Sequence, residues 1–513
     1  MALQTMSSKT HDGDAGGGEH ETKSNPTHLL LIPVMAQGHM IPMLDLARLL
    51  ARRGCLVTFV TTPVNLARIR PLADIVSASC LPLRFVTLPF PTAAVGIPDG
   101  CESIELVPTD DLVLPFMRAM FLLRVPLEAY LQLPDPDRWP PPACIISDTL
   151  HYWTADVAHS LSVPRLSFHG PSCFYITCSH LIKRHKAELD IAAAGGEPFL
   201  IPGLPQPIQT TMKKVAPIQS TESARSKILE DIRAAEAVTD GVVVNTFEEL
   251  EHWYLDSYRE ETGKLVWPVG PLSLYKETAE AKAARGRASS VEMDALLRWL
   301  DDREAGSVVL VSFGSVVRRS LAQLVEIGHG LEDSARPFVW AVKEARDRDE
   351  VARWAAEMQD RIGDKGLIIK GWLPQVTILS HAAVGGFVTH CGWNSTLEAV
   401  AAGVPMATWP HAYDQFMNER LAVDVLRVGV EVGAREPVAA VVEEDTREET
   451  NVTREQVRKA VERLFDTGAQ GEDMRQRATE LAEKARSAME EGGSSSQNLD
   501  NIIRYVNQSN NNI

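Results

Sequence analysis

Short hydrophobic runs alternate with amphipathic helical stretches along most of the chain. Near the start, His28–Val34 predicts a buried strand and Leu56–Thr61 a second one. Between them Met40–Arg53 predicts a helix, because its apolar side chains recur at helical spacing. A strand, a helix and a strand with short connections form a βαβ unit, so we expect a parallel sheet. The pattern recurs more weakly towards residue 250, with strands predicted at Ala143–Ser147 and Gly241–Asn245.

The same alternation restarts in the second half of the chain. Predicted strands lie at Ser307–Ser312, Phe338–Val342, Leu367–Lys370, Ala383–Val388 and Pro405–Trp409. Predicted helices lie at Leu321–Asp333, Ser395–Ala402, Thr453–Leu464, Asp473–Met489 and Leu499–Val506. Both halves are therefore predicted to be α/β, each a doubly wound domain around a parallel sheet.

Segments rich in breakers or charges divide the chain into parts. Trp267–Pro271 marks a boundary near the midpoint, Lys276–Ser290 is predicted to be a flexible loop, and the acidic segment Glu436–Thr450 a surface insertion. Ligands of doubly wound sheets bind beyond the carboxyl ends of the strands, so we expect a site between two facing domains. The predicted parts are a disordered tail at 1–26, a first domain at 27–262, a linker and loop at 263–292, a second domain at 293–490 and a last helical segment at 491–513.

Charge and composition exclude several classes of function. The 513 residues include 51 Lys and Arg against 68 Asp and Glu, a formal net charge of −17. This acidity argues against a nucleic-acid partner and against docking on an anionic membrane, because both need a basic face. No hydrophobic run reaches the roughly 18–20 residues that cross a bilayer. Residues 1–26 lack the hydrophobic core of a secretory signal, and seven cysteines without a C-x-x-C pair favour a reducing cytosol, so we expect a cytoplasmic protein.

A histidine and an aspartate at predicted strand ends are candidates for proton transfer. His39 lies at the mouth of the first helix, where the positive end of the helix dipole favours a neutral imidazole that can act as a base. The alternative is a surface histidine that caps the helix. Asp148 ends another strand and can stabilise a protonated His39, or it can be the N-cap of the next helix. The usual serine-hydrolase, zinc-protease and P-loop motifs are absent from the sequence.

Glycine and polar residues are densest between residues 372 and 415. Gly385–Glu398 reads G-G-F-V-T-H-C-G-W-N-S-T-L-E and predicts a strand, a glycine turn and a helix. The N–H groups at such a helix start form an anion site, and nearby side chains can add donors for a diphosphate: His390, Asn394 and Ser395. Ser395–Glu398 equally fits a capping box that closes the helix by itself, and the local pattern leaves both interpretations open.

Two further positions in this region have both a binding and an ordinary interpretation. Trp372, in a predicted loop, can stack on a nucleobase or pack in a core. Asp414 and Gln415 follow the Pro405–Trp409 strand, where a carboxylate beside an amide can bind sugar hydroxyls or form an ordinary turn.

In this region the chain resembles the plant UDP-sugar-dependent glycosyltransferases of specialised metabolism. Trp372 to Gln415 spans 44 positions, the length of that family's signature box. The box reads W-L-P-Q, then H-A-A-V-G-G-F-V-T-H-C-G-W-N-S-T-L-E, then G-V-P, W-P and D-Q. Supporting motifs extend over nearly the whole chain, at Met35–Pro42, Gly96–Glu102, Asn245–Leu250, Trp267–Pro271 and Val311–Ser315.

The resemblance implies a GT-B fold of two facing Rossmann-like domains, in which the first binds the acceptor and the second the UDP-sugar. The last helix is expected to pack back on the first domain. His39 is implied as general base and acceptor contact, with Asp148 as its partner. The implied donor contacts are Trp372 and the Leu373 backbone to uracil, Gln375 and Glu398 to ribose, Ser315, His390, Asn394 and Ser395 to the diphosphate, and the Trp393 backbone, Asp414 and Gln415 to the sugar.

Two departures from the family pattern concern the ends of the box. Leu373 replaces a frequent alanine, which a backbone contact tolerates. His411-Ala412-Tyr413 replaces smaller residues before the acidic one, so Tyr413 is expected to reshape the acceptor side. Gln415 at the end of the box resembles enzymes that use UDP-glucose.

The expected activity is a single displacement with inversion, in which a hexose, most simply glucose, moves from the UDP-sugar to a hydroxyl of a small hydrophobic flavonoid, other phenolic or terpenoid. The UDP-sugar is a co-substrate, and we expect no further cofactor. We also expect no metal ion to be needed, because no carboxylate cluster with metal-ligand spacing lies near the box. Hydrophobic residues in Pro89–Val107 and Phe168–Tyr175 are expected to line the acceptor side of a monomeric enzyme.

Two other classes of function compete with this expectation. A nicotinamide oxidoreductase would need G-x-G-x-x-G after the first strand, whereas Ala36–Ile41 reads A-Q-G-H-M-I. A catalytically silent protein that binds a hydrophobic ligand is the second, and the presence of His39, Asp148 and the whole box argues against it.

Overall fold

Two parallel sheets form the centre of the computed structural model, which describes residues 26–134, 139–192, 196–215, 223–275, 293–438 and 450–511. The strands of the first half are β1 (His28–Ile32), β2 (Leu56–Thr61), β3 (Leu83–Thr87), β4 (Cys144–Asp148), β5 (Arg165–His169), β6 (Phe199–Leu200), β7 (Gln209–Thr210), β8 (Gly241–Val244) and β9 (Leu265–Pro268). Seven of them form one sheet in the order β3-β2-β1-β4-β5-β8-β9, and β6 and β7 form a separate antiparallel pair.

The second sheet repeats the arrangement of the first with six strands. They are β10 (Val308–Ser312), β11 (Phe338–Ala341), β12 (Gly366–Ile369), β13 (Val384–Thr389), β14 (Met406–Thr408) and β15 (Gly429–Glu431). Their order is β12-β11-β10-β13-β14-β15, and every pairing within both large sheets is parallel. The α/β class and the parallel sheet predicted for each half are confirmed.

Helices connect the strands of both sheets. In the first half they are Gln37–Arg52, Pro63–Arg68, Arg70–Ala78, Thr92–Val95, Val113–Leu122, Arg124–Leu131, Thr154–Leu161, Cys173–Arg184, Lys186–Ala192, Met212–Val215, Ser223–Ala237 and Glu248–Thr262. In the second half they are Met293–Asp301, Leu321–Asp333, Asp349–Ile362, Gln375–Leu379, Trp393–Ala402, Gln415–Arg420, Arg454–Leu464, Ala469–Met489 and Ser494–Asn511. None of the helices among the described residues is long and apolar enough to cross a bilayer.

The last helix, Ser494–Asn511, packs against the first domain rather than the second. Leu499, Ile502 and Val506 are fully buried in the core that surrounds the first sheet. At its start, the Asn498 amide donates to the Pro268 carbonyl at 3.0 Å, at the end of β9. The carboxyl terminus therefore contributes hydrophobic core to the domain in which the chain begins.

The first domain extends further along the chain than predicted. The expected linker at 263–292 begins with β9, which pairs with β8 at the edge of the first sheet. The predicted end of the domain at residue 262 is therefore one strand too early, because the segment Trp267–Pro271, which is rich in breakers, overlaps the end of a strand that the prediction missed. The 276–290 loop, residues 1–25 of the tail and positions 439–449 of the acidic insertion lie outside the described residues.

Candidate active site

A cavity of about 630 Å³ lies between the two domains, beyond the carboxyl ends of strands from both sheets. This is the position at which doubly wound sheets bind their ligands. All but one of the site residues predicted from the sequence line it, and Asp148 lies behind His39. The lining members are His39, Ser315, Trp372, Leu373, Gln375, His390, Trp393, Asn394, Ser395, Glu398, Tyr413, Asp414 and Gln415.

The imidazole of His39 is held by a buried carboxylate. His39 lies in the first turn of helix Gln37–Arg52, and its Nδ1 is 2.6 Å from Oδ2 of Asp148 at the end of β4. Asp148 is completely buried, whereas 31% of the His39 side chain is exposed in the cleft. Because Nδ1 pairs with the carboxylate, Nε2 is the nitrogen available to a substrate.

The surroundings of this pair set its protonation. Burial disfavours the imidazolium, but the charge and hydrogen bond of Asp148, with weaker help from Asp414 and Glu105, raise the pKa of His39 above its ordinary value. This direction is opposite to the one that the helix dipole alone predicts, because the Asp148 carboxylate favours the imidazolium. Burial opposes the charged form of Asp148 as well, but His39 and the Leu150 N–H lower the pKa of Asp148.

Asp148 is not the N-cap that its position allows. The next helix starts at Thr154, and its N-cap residue is Trp153. Instead, the Asp148 carboxylate accepts hydrogen bonds from the Leu150 backbone at 3.1 Å and from the Thr149 hydroxyl at 3.3 Å. These bonds fix the carboxylate against the imidazole and leave it no capping role.

Three residues predicted to bind the UDP-sugar form one hydrogen-bonded group on the opposite wall of the cavity. The Gln375 amide donates to Ser395 Oγ at 3.0 Å and to Glu398 Oε2 at 2.7 Å. The helix that carries Ser395 and Glu398 begins at Trp393 after the N-cap residue Gly392, and no side chain caps it. The capping-box interpretation is therefore wrong, because Ser395 is already inside the helix and Glu398 points to Gln375.

The ring of His390, just after β13, lies between Gly314, which follows β10, and Gly392. A Cβ at Gly314 or at Gly392 would come 2.5 Å or 2.4 Å from its Nε2, so both positions need glycine for this packing. Burial, together with the Arg319 and Lys343 cations, lowers the pKa of His390 to about 3. His390 can therefore offer a neutral N–H to a ligand at physiological pH.

The other predicted diphosphate contacts bridge the two domains in this structure. The Asn394 side chain bonds to the Gly38 carbonyl beside His39. The Ser315 hydroxyl donates to Glu105 Oε1 at 3.3 Å, and Glu105 also accepts the Gln37 N–H at the start of the His39 helix. Both side chains would have to exchange a protein partner for a phosphate oxygen in order to bind the donor.

The predicted sugar contacts are anchored around the start of helix Gln415–Arg420. Gln415 Oε1 accepts the backbone N–H groups of His411 at 2.8 Å and Ala412 at 3.1 Å, which fixes the orientation of the amide. Burial raises the pKa of Asp414 to about 6, although Asn418 donates to its carboxylate at 2.7 Å. Tyr413 is about half exposed, with a positive φ of 57° that places its ring at the cavity wall.

Trp393 and Trp372 occupy different environments. Trp393 is buried, and its Nε1 donates to the Asn245 carbonyl of the first domain at 2.8 Å, so only its backbone is available to a ligand. Trp372 is half-buried on the cavity wall, next to the buried Leu373. A ring at such a wall can stack on a planar base.

Comparison with known proteins decides the family. Residues 260–442 match the family described as "UDP-glucoronosyl and UDP-glucosyl transferase", and residues 26–274 match "Glycosyltransferase, N-terminal domain". The chain is 42% identical over 490 residues to UDP-glycosyltransferase 73E1 of Stevia rebaudiana, covering 94% of this chain and 96% of that one. The chain belongs to the plant UDP-glycosyltransferases.

Solved structures of the family share this fold. UGT73P12 of Glycyrrhiza uralensis, complexed with glycyrrhetinic acid 3-O-monoglucuronide, has a TM-score of 0.85 at 32% identity, over 95% of this chain and 96% of that one. UGT2 of Phytolacca americana, complexed with UDP-2fluoro-glucose and pterostilbene, has a TM-score of 0.70 at 26% identity, over 94% and 100%. The predicted family and GT-B fold are confirmed, and the protein is a UDP-glycosyltransferase enzyme.

Sequence reasoning missed several residues of this UDP-glycosyltransferase site. Glu105 and Gly170 lie in the two segments expected to line the acceptor side, but neither residue was singled out. Glu105 bonds to the first turn of the His39 helix, and a Cβ at Gly170 would come 3.1 Å from the imidazole. Helix Val113–Leu122 adds a hydrophobic wall through Phe116, Met117 and Met120. The alternation of apolar residues predicts burial for such a helix but not which cavity it faces.

Proposed function

We propose that this enzyme transfers a hexose, with glucose as the favoured sugar, from a UDP-sugar to a hydroxyl of a small hydrophobic plant metabolite, with inversion at the anomeric carbon. The observation that carries the proposal is the His39–Asp148 pair at 2.6 Å on the cavity wall opposite the Gln375–Ser395–Glu398 group. A base and a donor-binding surface thus face one cavity from different domains.

The proton path follows from the hydrogen bonding of His39. Its Nε2 takes the proton of the acceptor hydroxyl while the oxygen attacks C1 of the sugar, the C1–O bond to UDP breaks, and UDP leaves with the bonding electron pair. Asp148 stabilises the imidazolium through Nδ1. A positioned base of this kind supplies about 10²–10⁴-fold of the rate. The helix start at Trp393 and the N–H of His390 stabilise the leaving diphosphate.

The lining of the cavity supports a hydrophobic acceptor. On the first-domain side, aliphatic and sulfur-containing side chains predominate, with one fully buried aromatic ring, and polar groups are few. These residues are Ile41, Val113, Phe116, Met117, Met120 and Leu150. The two structural relatives, crystallised with a triterpenoid glucuronide and with the phenolic pterostilbene, support acceptors of these two classes. The fluoroglucose donor in one of them, together with Gln415, supports glucose.

Turnover with a panel of hydroxylated terpenoids and phenolics tests the proposal. With UDP-glucose, we expect release of UDP and a product heavier by one hexose, with the anomeric configuration opposite to that of the donor. His39→Ala should lower kcat about 10²–10⁴-fold, and the exposed first-domain His252→Ala should not. Binding of acceptors without any turnover would instead support the silent hydrophobic-ligand protein, and a retained configuration would contradict inversion.

A further inference from the structure

None of the residues that the family resemblance assigns to binding the UDP-sugar carries a positive charge. The residues assigned to ribose, diphosphate and sugar are neutral or, like Glu398 and Asp414, acidic, and His390 is neutral because its pKa is about 3. A UDP diphosphate carries at least two negative charges into a cleft shielded from water. Helix-terminus N–H groups supply only a partial charge, so a cation is needed to offset the desolvation.

Lys343 is placed to be that cation. It follows β11 at the start of a short 3₁₀ helix, Lys343–Arg346, and lines the same cavity wall as Ser315 and His390. Its Nζ is shielded from solvent and has no hydrogen-bond partner among the residues that the structure describes. A buried ammonium with three unmet hydrogen bonds is costly unless a ligand completes them.

The nearby Arg319 is already engaged, unlike Lys343. Its guanidinium stacks at 3.6 Å over the Phe313 ring, lies 3.7 Å from Glu344 and bonds to His411. Arg319 also lines the cavity, and its Nε has no hydrogen-bond partner among the described residues, but both of its terminal nitrogens are directed to protein partners. Arg318, Arg346 and Arg348 also line the cavity, but they are half-buried or exposed, whereas the Lys343 Nζ is shielded from solvent and has no hydrogen-bond partner among the described residues.

We propose that Lys343 binds the diphosphate of the donor and neutralises its charge as UDP leaves. This role deepens the proposed transfer from a UDP-sugar and rests on it. The charged and titratable groups that face the ammonium are Glu344 on its own segment, Arg318 and Arg319 after β10, His390 after β13 and Glu105 from the first domain. Burial, opposed only in part by Glu344, lowers the pKa of Lys343 to about 7.

Calorimetric titration of UDP and of uridine into the full-length enzyme tests this assignment. Lys343→Met should weaken UDP binding by about tenfold or more and change uridine binding by less than about twofold, since uridine has no phosphate. The exposed Lys365→Met in the same domain should bind both as the wild type does. Unchanged UDP affinity in a folded Lys343→Met protein would overturn the proposal while leaving the transferase function intact. If the wild-type enzyme itself bound no UDP, the proposed function would fail, and the assignment with it.

The number of protons taken up when UDP binds gives a second test, because a lysine with a purely structural role would not change it. With a pKa of about 7, the Lys343 side chain in the empty site is mostly the neutral amine at pH 8, and a bound diphosphate should restore its proton. Titrations in buffers of different ionisation enthalpy should therefore show nearly one proton taken up per UDP by the wild-type enzyme. Lys343→Arg, which stays charged, should keep UDP binding but lose this uptake. Equal uptake by the two proteins would overturn the assignment.

Discussion

Asn394, at the start of the helix that carries Ser395 and Glu398, donates a hydrogen bond from its side chain to the main-chain carbonyl of Gly38, the residue before His39. Asn245 of the first domain also donates to Asn394, at 3.4 Å. The donor wall and the turn that holds the base are thus joined directly across the cleft. A phosphate oxygen that took over the Asn394 side chain would replace its bond to the Gly38 carbonyl.

Replacing the carboxylate behind His39 tests its part in catalysis. Asp148→Asn keeps the shape but removes the charge that stabilises the imidazolium, so we expect kcat to fall about 10²-fold or more. Steady-state kinetics with a saturating donor measure this. The matched control is Asp156→Asn, an exposed residue of the same domain, which should leave kcat within about twofold. Wild-type kcat in Asp148→Asn would contradict the role of the pair.

The pH dependence of the reaction tests the electrostatics of the same pair. A base works only when unprotonated, and the pKa of His39 is raised mainly by Asp148 against the effect of burial. We therefore expect kcat/KM to rise with pH through a midpoint above that of an ordinary histidine. In Asp148→Asn the effect of burial dominates, so the midpoint of the residual activity should move to lower pH. A midpoint that stays unchanged would mean that another group titrates.

The hydrogen-bonded group of Gln375, Ser395 and Glu398 is predicted to strengthen binding of the UDP-sugar. Gln375→Ala removes the amide that orients Ser395 and Glu398, and we expect the KM for the UDP-sugar to rise about tenfold, the loss of one charged hydrogen bond. The KM for the acceptor should change little. Gln476→Ala, on an exposed helix of the same domain, is the control. If the acceptor KM rose and the donor KM did not, the two sides of the cavity would be assigned the wrong way round.

The packing of the last helix on the first domain should contribute measurably to the free energy of unfolding. Ile502 is fully buried there, and Ile502→Ala should lower the free energy of unfolding by about 2–5 kcal/mol. The exposed Arg504→Ala on the same helix should cost far less. Denaturant unfolding followed by circular dichroism compares the two variants. Equal stabilities would show that the helix does not hold the first domain together.

The strands that the sequence identifies differ in polarity from a strand that it misses. Continuous apolar runs such as Leu29–Ile32 in β1 identify a strand buried on both faces. β5 is equally buried, yet three of its five residues, Arg165, Ser167 and His169, are polar. Their side chains converge on Glu236, at 3.4, 2.6 and 2.8 Å, so a single distant carboxylate makes their burial tolerable. No local pattern reveals such a partner.

The candidate site likewise contains residues that the sequence identifies and residues that only the structure reveals. The family motif identified Gln375 and Glu398 as ribose contacts and Ser395 as a diphosphate contact. The local S-x-x-E pattern suggested a cap instead, because it cannot tell that the helix starts two residues earlier. Lys343 carries no motif, and only the fold places its ammonium on the cavity wall. Residues that act through position rather than pattern are therefore found from the structure.

A crystal structure of the enzyme with UDP and a hydroxylated acceptor tests the central claim most directly. We expect the uracil ring stacked on Trp372, the diphosphate at the helix start near Asn394, and the acceptor hydroxyl within hydrogen-bond distance of His39 Nε2. A nucleotide bound outside this cavity, or a hydroxyl out of reach of His39, would contradict the account.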